Sequence, residues 1–287
     1  MISIRHQRIL VALAAALALA LLAGCGSSSN DSSTPTTAAN CKPDQLQTYA
    51  QGELTVATDD PAYPPYFEDN DPSNGKGFES AVAYAIADQL GYKSSQVKWV
   101  TEPFNSSYAP GPKKFDFDVN QISITSAREK QVDFSTPYYT ANQAVVATKG
   151  SSAASATSLA DLQDATIGVQ IGTTSLDAVD AEIQPSSDPK VFNDSNDVVT
   201  ALKQGQVDAI VVDLPTALYL TATQVPDATI VGQFSAPGGD RWGALLAKGS
   251  SLTGCVSGAI DSLRSSGELA QIENRWMSQA AKAPVLQ

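Results

Sequence analysis

Hydrophobic and polar residues alternate along the first half of the chain in a pattern that predicts strands separated by a helix. The segments 53–59, 96–100 and 115–124 each have the short apolar or alternating pattern of a strand. Between the first two lies 77–91, where apolar residues recur at every fourth position: Phe78, Val82, Ile86 and Leu90. That spacing is typical of an amphipathic helix, and Gly91 can end it. Strands that alternate with helices favour an α/β fold with a mostly parallel sheet.

The same rhythm starts again in the second half of the chain. Its predicted elements are strands at 165–170, 208–213 and 228–232 and helices at 172–183 and 195–205. Two extended segments, 141–148 and 242–248, flank this second unit. The simplest topology therefore has two lobes, with the chain crossing between them twice. We predict a first lobe from 41–141 and 242–287 and a second lobe from 142–241.

The N-terminus has the pattern of an export signal. Arg5 and Arg8 precede an apolar run over 9–23, which is too short to span a bilayer because a spanning helix needs ~20 residues. The sequence Leu-Ala-Gly-Cys that ends at Cys25 resembles a bacterial lipobox, and this resemblance implies a signal peptide over 1–24 and a lipid on Cys25. The alternative is an ordinary signal peptide beside a chance cysteine.

Residues 25–40 predict a flexible tether, because Ser, Thr and Asn dominate them and no large apolar side chain is present. A lipid followed by a tether implies a globular body held at the outer face of the cytoplasmic membrane.

The cysteines and the single histidine restrict the chemistry. Lipidation of Cys25 leaves Cys41 and Cys255, which in an oxidising compartment predict one disulfide, although two free thiols are the alternative. The only histidine is His6, inside the signal, so the mature chain has no Ser-His-Asp triad and no histidine metal ligand. A formal charge of −12 and a pI near 4.4 argue against nucleic acid as a partner.

Arg128 stands where an arginine is unexpected. It follows the alternating residues 122–125 and falls in the first turn of a predicted helix, where the helix dipole favours anions. Either Arg128 lies at the surface and pairs with Glu129 or Asp133, or it waits with the free helix N–H groups for an external anion.

Several segments together resemble the family-3 extracellular solute-binding proteins of polar amino-acid ABC importers. In family order they are DPAYPPYF, GFES, FDF with ISITSAREKQVDFSTPYY, IGVQIGTTS and GQVDAIVVD, and the likeness covers nearly all of the chain from residue 52. The resemblance implies a two-lobed, type II periplasmic-binding-protein-like fold with two hinge-crossing segments. It implies a monomeric lipoprotein without a cofactor or metal, which binds an amino acid or a related small solute and delivers it to a membrane permease.

The resemblance also implies the parts of a ligand site. Arg128, five residues after Ser123, matches the arginine that binds the ligand α-carboxylate, Ser123 is a further ligand contact, and Asp213 matches the residue that accepts the α-ammonium. A guanidinium suits the first task because it pairs with a carboxylate through two hydrogen bonds. For Asp213 the alternative is a helix cap.

Other predicted contacts form the walls of the site. Asp60 and Tyr63 match an acid followed by a stacking aromatic, although the neighbouring Asp59 leaves the register open by one residue. The remaining predicted contacts are Phe104 as an apolar wall, Thr173 and Thr174 near the ligand carboxylate, and Asn120 and Gln121 as selectivity positions. Core packing is the alternative for Tyr63 and Phe104.

Two other functions remain open at this point. A few relatives on this fold are dehydratases that act on prephenate-like or arogenate-like acids, but these resemble binding proteins whose ammonium-binding aspartate has been replaced, whereas Asp213 is present here. The third possibility is a ligand-sensing accessory lipoprotein, which needs a separate signalling partner.

Overall fold

The computed structural model describes residues 41–277 and 283–287. The predicted signal peptide, tether and lipidated Cys25 lie outside the described residues. Within the described part of the chain, no helix is both long and apolar enough to cross a membrane.

The described residues fold into two mixed sheets with helices packed against them, which confirms the α/β prediction. In chain order the strands are β1 Leu54–Thr58, β2 Val97–Thr101, β3 Phe117–Asp118, β4 Val132–Ala141, β5 Gln143–Thr148, β6 Ile167–Gln170, β7 Lys190–Phe192, β8 Ala209–Asp213, β9 Ala228–Phe234 and β10 Asp240–Ala247. The helices are α1 Phe78–Gln89, α2 Phe104–Ser107, α3 Thr174–Ala178, α4 Ser195–Lys203, α5 Leu214–Tyr219, α6 Thr253–Ser266 and α7 Glu268–Trp276.

The first lobe is built on the sheet with strand order β2-β1-β3-β10-β4. Strand β1 runs parallel to β2 and β3, whereas β10 is antiparallel to β3 and β4. The predicted stripe of α1 packs on this sheet, with Phe78, Val82 and Ile86 all 0% exposed. Burial of such side chains contributes about 1.5–3 kcal/mol each, so the four-residue period of α1 fixes which face meets the sheet.

The second lobe is built on the sheet with strand order β7-β6-β8-β5-β9. Strand β6 runs parallel to β7 and β8, and β5 is antiparallel to β8 and β9. The central strands are apolar on both faces because helices and turns cover both sides, as Val145, Val146 and Ile210 show.

The chain crosses between the lobes at two neighbouring places. Asn142 alone separates β4 of the first lobe from β5 of the second, and 235–239 lead back from β9 to β10. The return segment ends in Gly238 and Gly239, both at φ +77, a region that favours glycine. The crossings thus fall beside the ends of four strands.

The prediction that 242–287 lie wholly in the first lobe is wrong for 283–287. These residues lie against β9 of the second lobe, where the Gln233 amide donates to the Pro284 carbonyl at 2.7 Å and the Leu286 amide donates to the Gln233 carbonyl at 2.9 Å. Leu286 is 5% exposed and occupies space above Gly232, where a Cβ would stand 2.5 Å from the Leu286 Cγ. The unpaired edge of β9 and this glycine explain why the tail lies there.

Cys41 and Cys255 form a disulfide with an S–S distance of 2.03 Å. It joins the segment before β1 to α6, so both ends belong to the first lobe. The pair spans 214 positions of sequence and closes most of the described chain into one loop.

Candidate ligand-binding site

A cavity of about 380 Å³ lies between the two lobes. It is placed at the carboxyl ends of the parallel strands of both sheets, the edge at which open α/β sheets bind ligands. Each wall is therefore made by the short segments that follow those strands.

The wall from the first lobe follows β1, β2 and β3. Its lining residues are Asp59, Asp60, Pro61 and Tyr63 after β1, Pro103, Phe104 and Asn105 after β2, and Asn120, Gln121 and Ser123 after β3. All the predicted first-lobe contacts except Arg128 are thus brought together on one wall.

The wall from the second lobe follows β6, β7 and β8. Its lining residues are Gln170 at the end of β6 with Thr173, Thr174 and Ser175 after it, Asn193, Asp194, Ser195 and Asn196 after β7, and Val212 and Asp213 at the end of β8 with Thr216 in α5. The predicted residues Thr173, Thr174 and Asp213 are among them. The segment after β7 was not predicted, although its position after a parallel strand is the signal that points to it.

The lobes touch each other around this cavity. The Tyr63 and Tyr219 rings stack at a centroid distance of 6.0 Å, and the Tyr66 hydroxyl lies 2.8 Å from the Thr216 Oγ1. Because these pairs join opposite lobes, the structure has the closed arrangement.

Arg128 lies behind the cavity wall rather than on it. Its Nη1 donates to the Ser123 carbonyl at 2.7 Å, and its Nη2 donates across the crevice to the Gly172 carbonyl at 2.9 Å. The guanidinium carbon lies 5.3 Å from the Phe104 ring centre and 4.8 Å from that of Tyr108. Arg128 is 7% exposed, and burial lowers its pKa.

The surroundings of Arg128 differ from the prediction in two ways. It begins a three-residue 3-10 turn, Arg128–Lys130, because β4 starts at Val132, so the expected helix with free N–H groups does not form. The alternative of a surface ion pair is also wrong, since Arg128 is buried and Asp133 pairs with Lys248 at 2.9 Å. The strand expected at 122–125 is reduced to a single bridge between Ser123 and Trp242.

Asp213 ends β8 deep in the crevice, with part of its surface open to the cavity. Burial raises its pKa well above the usual range, and the nearby charge of Asp240 raises it further. Although Asp213 is the first residue before α5, its side chain makes no capping hydrogen bond. Instead its Oδ1 accepts from the Gln143 Nε2 at 2.7 Å. The carboxylate is thus held toward the cavity.

Acidic residues dominate the charge of the cavity. The carboxylates that line it are Asp59, Asp60, Asp194 and Asp213, and no lysine or arginine of residues 41–277 and 283–287 is among the lining residues. Burial raises the pKa of Asp59, as expected for a carboxyl in a partly enclosed negative site. The cavity therefore favours a cation.

Gln121 is held in place from behind by a buried glutamate. Its backbone is left-handed at φ +49, and its amide donates to the Glu79 Oε1 at 2.7 Å. The Gln121 side chain and the Tyr138 hydroxyl also donate to the Glu79 carboxylate. Burial raises the pKa of Glu79 to about 7. Asn120 differs, because its buried Nδ2 has no partner in the described structure and is an available donor beside the cavity.

Two buried residues that form hydrogen bonds behind the cavity were not predicted from the sequence. Gln143 and Asp240 are the first residues of β5 and β10, both are 0% exposed, and Gln143 donates to Asp240 as well as to Asp213. A polar residue directly after a crossing segment is the one local signal that marks them.

Residues 54–279 match the bacterial extracellular solute-binding proteins, family 3. The chain belongs to this family. Members of the family share the two-lobed fold that the sheets and crossings display here, and the family is extracellular. The resemblance predicted from the sequence is therefore confirmed.

Curated relatives and solved structures agree with the family assignment. The L-cystine-binding protein TcyJ of Escherichia coli strain K12 is 29% identical over 232 residues, which cover 79% of this chain and 83% of that protein. The L-arginine-binding protein of Pseudomonas aeruginosa is 29% identical over 245 residues, which cover 81% and 91%. An ancestral arginine-binding protein bound to glutamine has a TM-score of 0.67 and 33% identity, with 79% and 99% covered.

These relatives are named for the amino acids they bind. The chain is accordingly a substrate-binding protein and not an enzyme, and the dehydratase alternative is set aside.

Proposed function

We propose that this protein is the substrate-binding component of an ABC importer and that it captures an amino acid with a cationic side chain. The observation that carries this proposal is the cavity with four carboxylates and no basic lining residue among those described. An amino acid that is zwitterionic at its α-carbon needs one carboxylate for its ammonium. The remaining acids, Asp59, Asp60 and Asp194, are then available to a second cation. The names of the arginine-binding relatives support the same class of ligand.

In this proposal Asp213 accepts the α-ammonium, and Tyr63 and Phe104 pack against the ligand's apolar stem. Arg128 remains the predicted partner of the α-carboxylate. Two of its five N–H donors go to backbone carbonyls and three are left, but because it lies behind the cavity wall, its guanidinium must turn toward the cavity to reach a ligand. Asn120 supplies a further donor. A ligand held by both walls favours the closed arrangement by its differential affinity for it, and the lobes open about Asn142 and 235–239. The closed form then docks on the permease.

This proposal can be tested by calorimetric titration of the purified protein. The protein is first unfolded and refolded with the disulfide intact, so that carried-over ligand is removed. We expect arginine or lysine to bind at least about 10-fold more tightly than neutral or acidic amino acids, because a charge-assisted hydrogen bond is worth about 1.5–3 kcal/mol. Asp213→Asn should abolish most of this affinity, whereas Asp227→Asn, at an exposed acid outside the cavity lining, should not. Tightest binding of an acidic amino acid, or no binding of any amino acid, rejects the proposal.

We propose further that the protein acts as a monomer anchored by a lipid on Cys25, with the signal peptide over 1–24 removed and 25–40 as the tether. Labelled palmitate should enter the wild-type chain and not Cys25→Ser, and the variant should leave the membrane fraction. Light scattering of the detergent-extracted protein should give the mass of one chain. Wild-type protein that takes up no labelled palmitate contradicts the lipid anchor, and a stable dimer contradicts the monomeric state.

A further inference from the structure

The carboxylate of Asp240 sits between the two lobes, just outside the cavity. Asp240 opens β10, directly after the return crossing, and it is 0% exposed. Its Oδ1 accepts from the Thr174 hydroxyl at 2.9 Å and from the Ser123 hydroxyl, and its Oδ2 accepts from the Gln143 Nε2. Ser123 belongs to the first lobe, whereas Thr174 and Gln143 belong to the second. The carboxylate is therefore a shared acceptor for groups of both lobes.

The hydrogens in this cluster can be assigned by counting donors. A serine or threonine hydroxyl has one hydrogen and two lone pairs, and an ionised carboxylate can only accept. The two hydroxyl oxygens also lie 3.3 Å from each other, but each is closer to the Asp240 Oδ1, so both give their single hydrogen to Asp240. Both residues also line the cavity, so toward a ligand they offer lone pairs alone.

The amide of Gln143 agrees with this assignment. Its two Nε2 hydrogens point to Asp240 and to the Asp213 Oδ1, and its Oε1 accepts from the Ser175 hydroxyl at 2.6 Å. Each donor of the amide thus meets a carboxylate. The same amide holds Asp213, so the orientations of Asp213, Ser123 and Thr174 all depend on Asp240.

We propose that Asp240 determines the ligand specificity of the site by turning the Ser123 and Thr174 hydroxyls into acceptors for the ligand's ammonium. Together with Asp213 they give three acceptors for the three N–H groups of an ammonium, drawn from both lobes. The family resemblance instead placed Thr174 near the ligand carboxylate, and it named Ser123 only as a ligand contact. The inference rests on the proposed function, since it presumes that an amino acid occupies the cavity.

Thr174→Val separates the two roles of the hydroxyl, because valine keeps the shape and removes the oxygen. The probes are arginine, agmatine, which is arginine without its carboxylate, and 5-guanidinopentanoic acid, which is arginine without its α-amino group. If Thr174 accepts from the ammonium, the variant weakens arginine and agmatine by the same factor, about 5- to 10-fold, and leaves the deaminated acid unchanged. If Thr174 donates to the carboxylate, agmatine is unaffected and the other two weaken, which overturns the inference.

Asp240→Ala provides a second measurement through a different residue. Both hydroxyls donate to Oδ1 and Gln143 donates to Oδ2, so alanine removes every one of these acceptors and the hydroxyl hydrogens become available to the ligand. We expect the preference for arginine over the deaminated acid to fall by about 10-fold or more, with Asp227→Ala as the charge-matched control that keeps it. Thermal unfolding of each variant checks that it is folded, and if Asp240→Ala is not, Thr174→Val decides.

The two proposals fail differently. An unchanged preference in a folded Asp240→Ala, with arginine still bound, rejects the role of Asp240 and leaves the proposed function standing. If wild-type protein binds none of the three probes, the proposed function fails and this inference falls with it.

Discussion

Gly172 is placed so that one added methyl group should oppose closure of the lobes more than folding. It follows β6 of the second lobe at φ +74. A Cβ there would overlap the Tyr108 hydroxyl and stand 2.7 Å from the Asn105 Oδ1, and both of these side chains belong to the first lobe. In an open form these neighbours move away with their lobe. Gly172→Ala should therefore act mainly on the closed state.

The size of the effect follows from the contacts that the methyl group disturbs. The left-handed backbone costs alanine about 1–2 kcal/mol in either state. The additional cost in the closed state is moderate, because both obstructing atoms end flexible side chains. Their rotation breaks the 2.6 Å hydrogen bond between Tyr108 and Asn105 and disturbs the one from Arg128 to the Gly172 carbonyl, which as a charged bond is worth about 1.5–3 kcal/mol. Ligand affinity should fall by about 10- to 100-fold.

Gly205→Ala is the matched control. Gly205 also lies in the second lobe, at φ +65, and a Cβ there meets nothing within 4 Å. Urea unfolding without ligand should give similar losses for the two variants, whereas calorimetric titration with arginine should show weaker binding for Gly172→Ala alone. Equal affinities for the two variants refute the reasoning, because the Gly172 contact then contributes nothing to the ligand-bound state.

Three further changes test the fold and its supports. The pKa of Glu79 is raised from 4.5 to about 7, so the folded state binds this proton more tightly than the unfolded state does. The corresponding contribution to the free energy of unfolding, roughly 3 kcal/mol, is complete below pH 4.5 and is lost as the pH rises to 7. In urea unfolding across this range, the free energy of unfolding of Glu79→Gln should lack this decrease with pH. Cys255→Ser opens a loop of 214 residues and should lower the free energy of unfolding by up to about 5 kcal/mol in the chain-entropy model; a loss under about 1 kcal/mol contradicts that account. Leu286→Ala should cost about 2–4 kcal/mol of local stability and speed amide exchange in β9, since Leu286 is 5% exposed; unchanged exchange there means that the tail does not hold the strand.

Local patterns in the sequence were sufficient for the parts of the fold that rest on neighbouring residues. The four-residue period of α1 predicted its buried face, because side chains four positions apart share one side of a helix. Counting cysteines predicted the pair that the structure joins. The positions of Asp60, Asn120 and Asp213 on the cavity walls agree with the family motifs, since Asp60 and Asn120 lie two residues after β1 and β3 and Asp213 is the last residue of β8.

The features that the sequence did not predict depend on contacts between distant segments. The tail at 283–287 lies on β9 because an edge strand and Gly232 leave room there, and neither is visible from the tail itself. The position of Arg128 depends on Phe104 and Gly172, which belong to different lobes. Motif matching supplied its type and spacing, but not the carbonyls to which it donates.

Gln143 and Asp240 show why the ligand site and the hinge belong to one network. They are 97 positions apart in sequence, yet they hydrogen bond because each is the first residue after one of the two crossings, and the crossings lie side by side. A ligand ammonium that pulls on Asp213 therefore also acts on the Gln143 amide, which holds the carboxylate at the start of β10. Ser123 and Thr174 both donate to Asp240 and belong to opposite lobes, so an opening of the lobes about Asn142 and 235–239 would separate them. If Asp240 orients the ligand acceptors as proposed, the full set is in place only when the lobes are closed, and selectivity and closure should respond together to any change in the Gln143 amide.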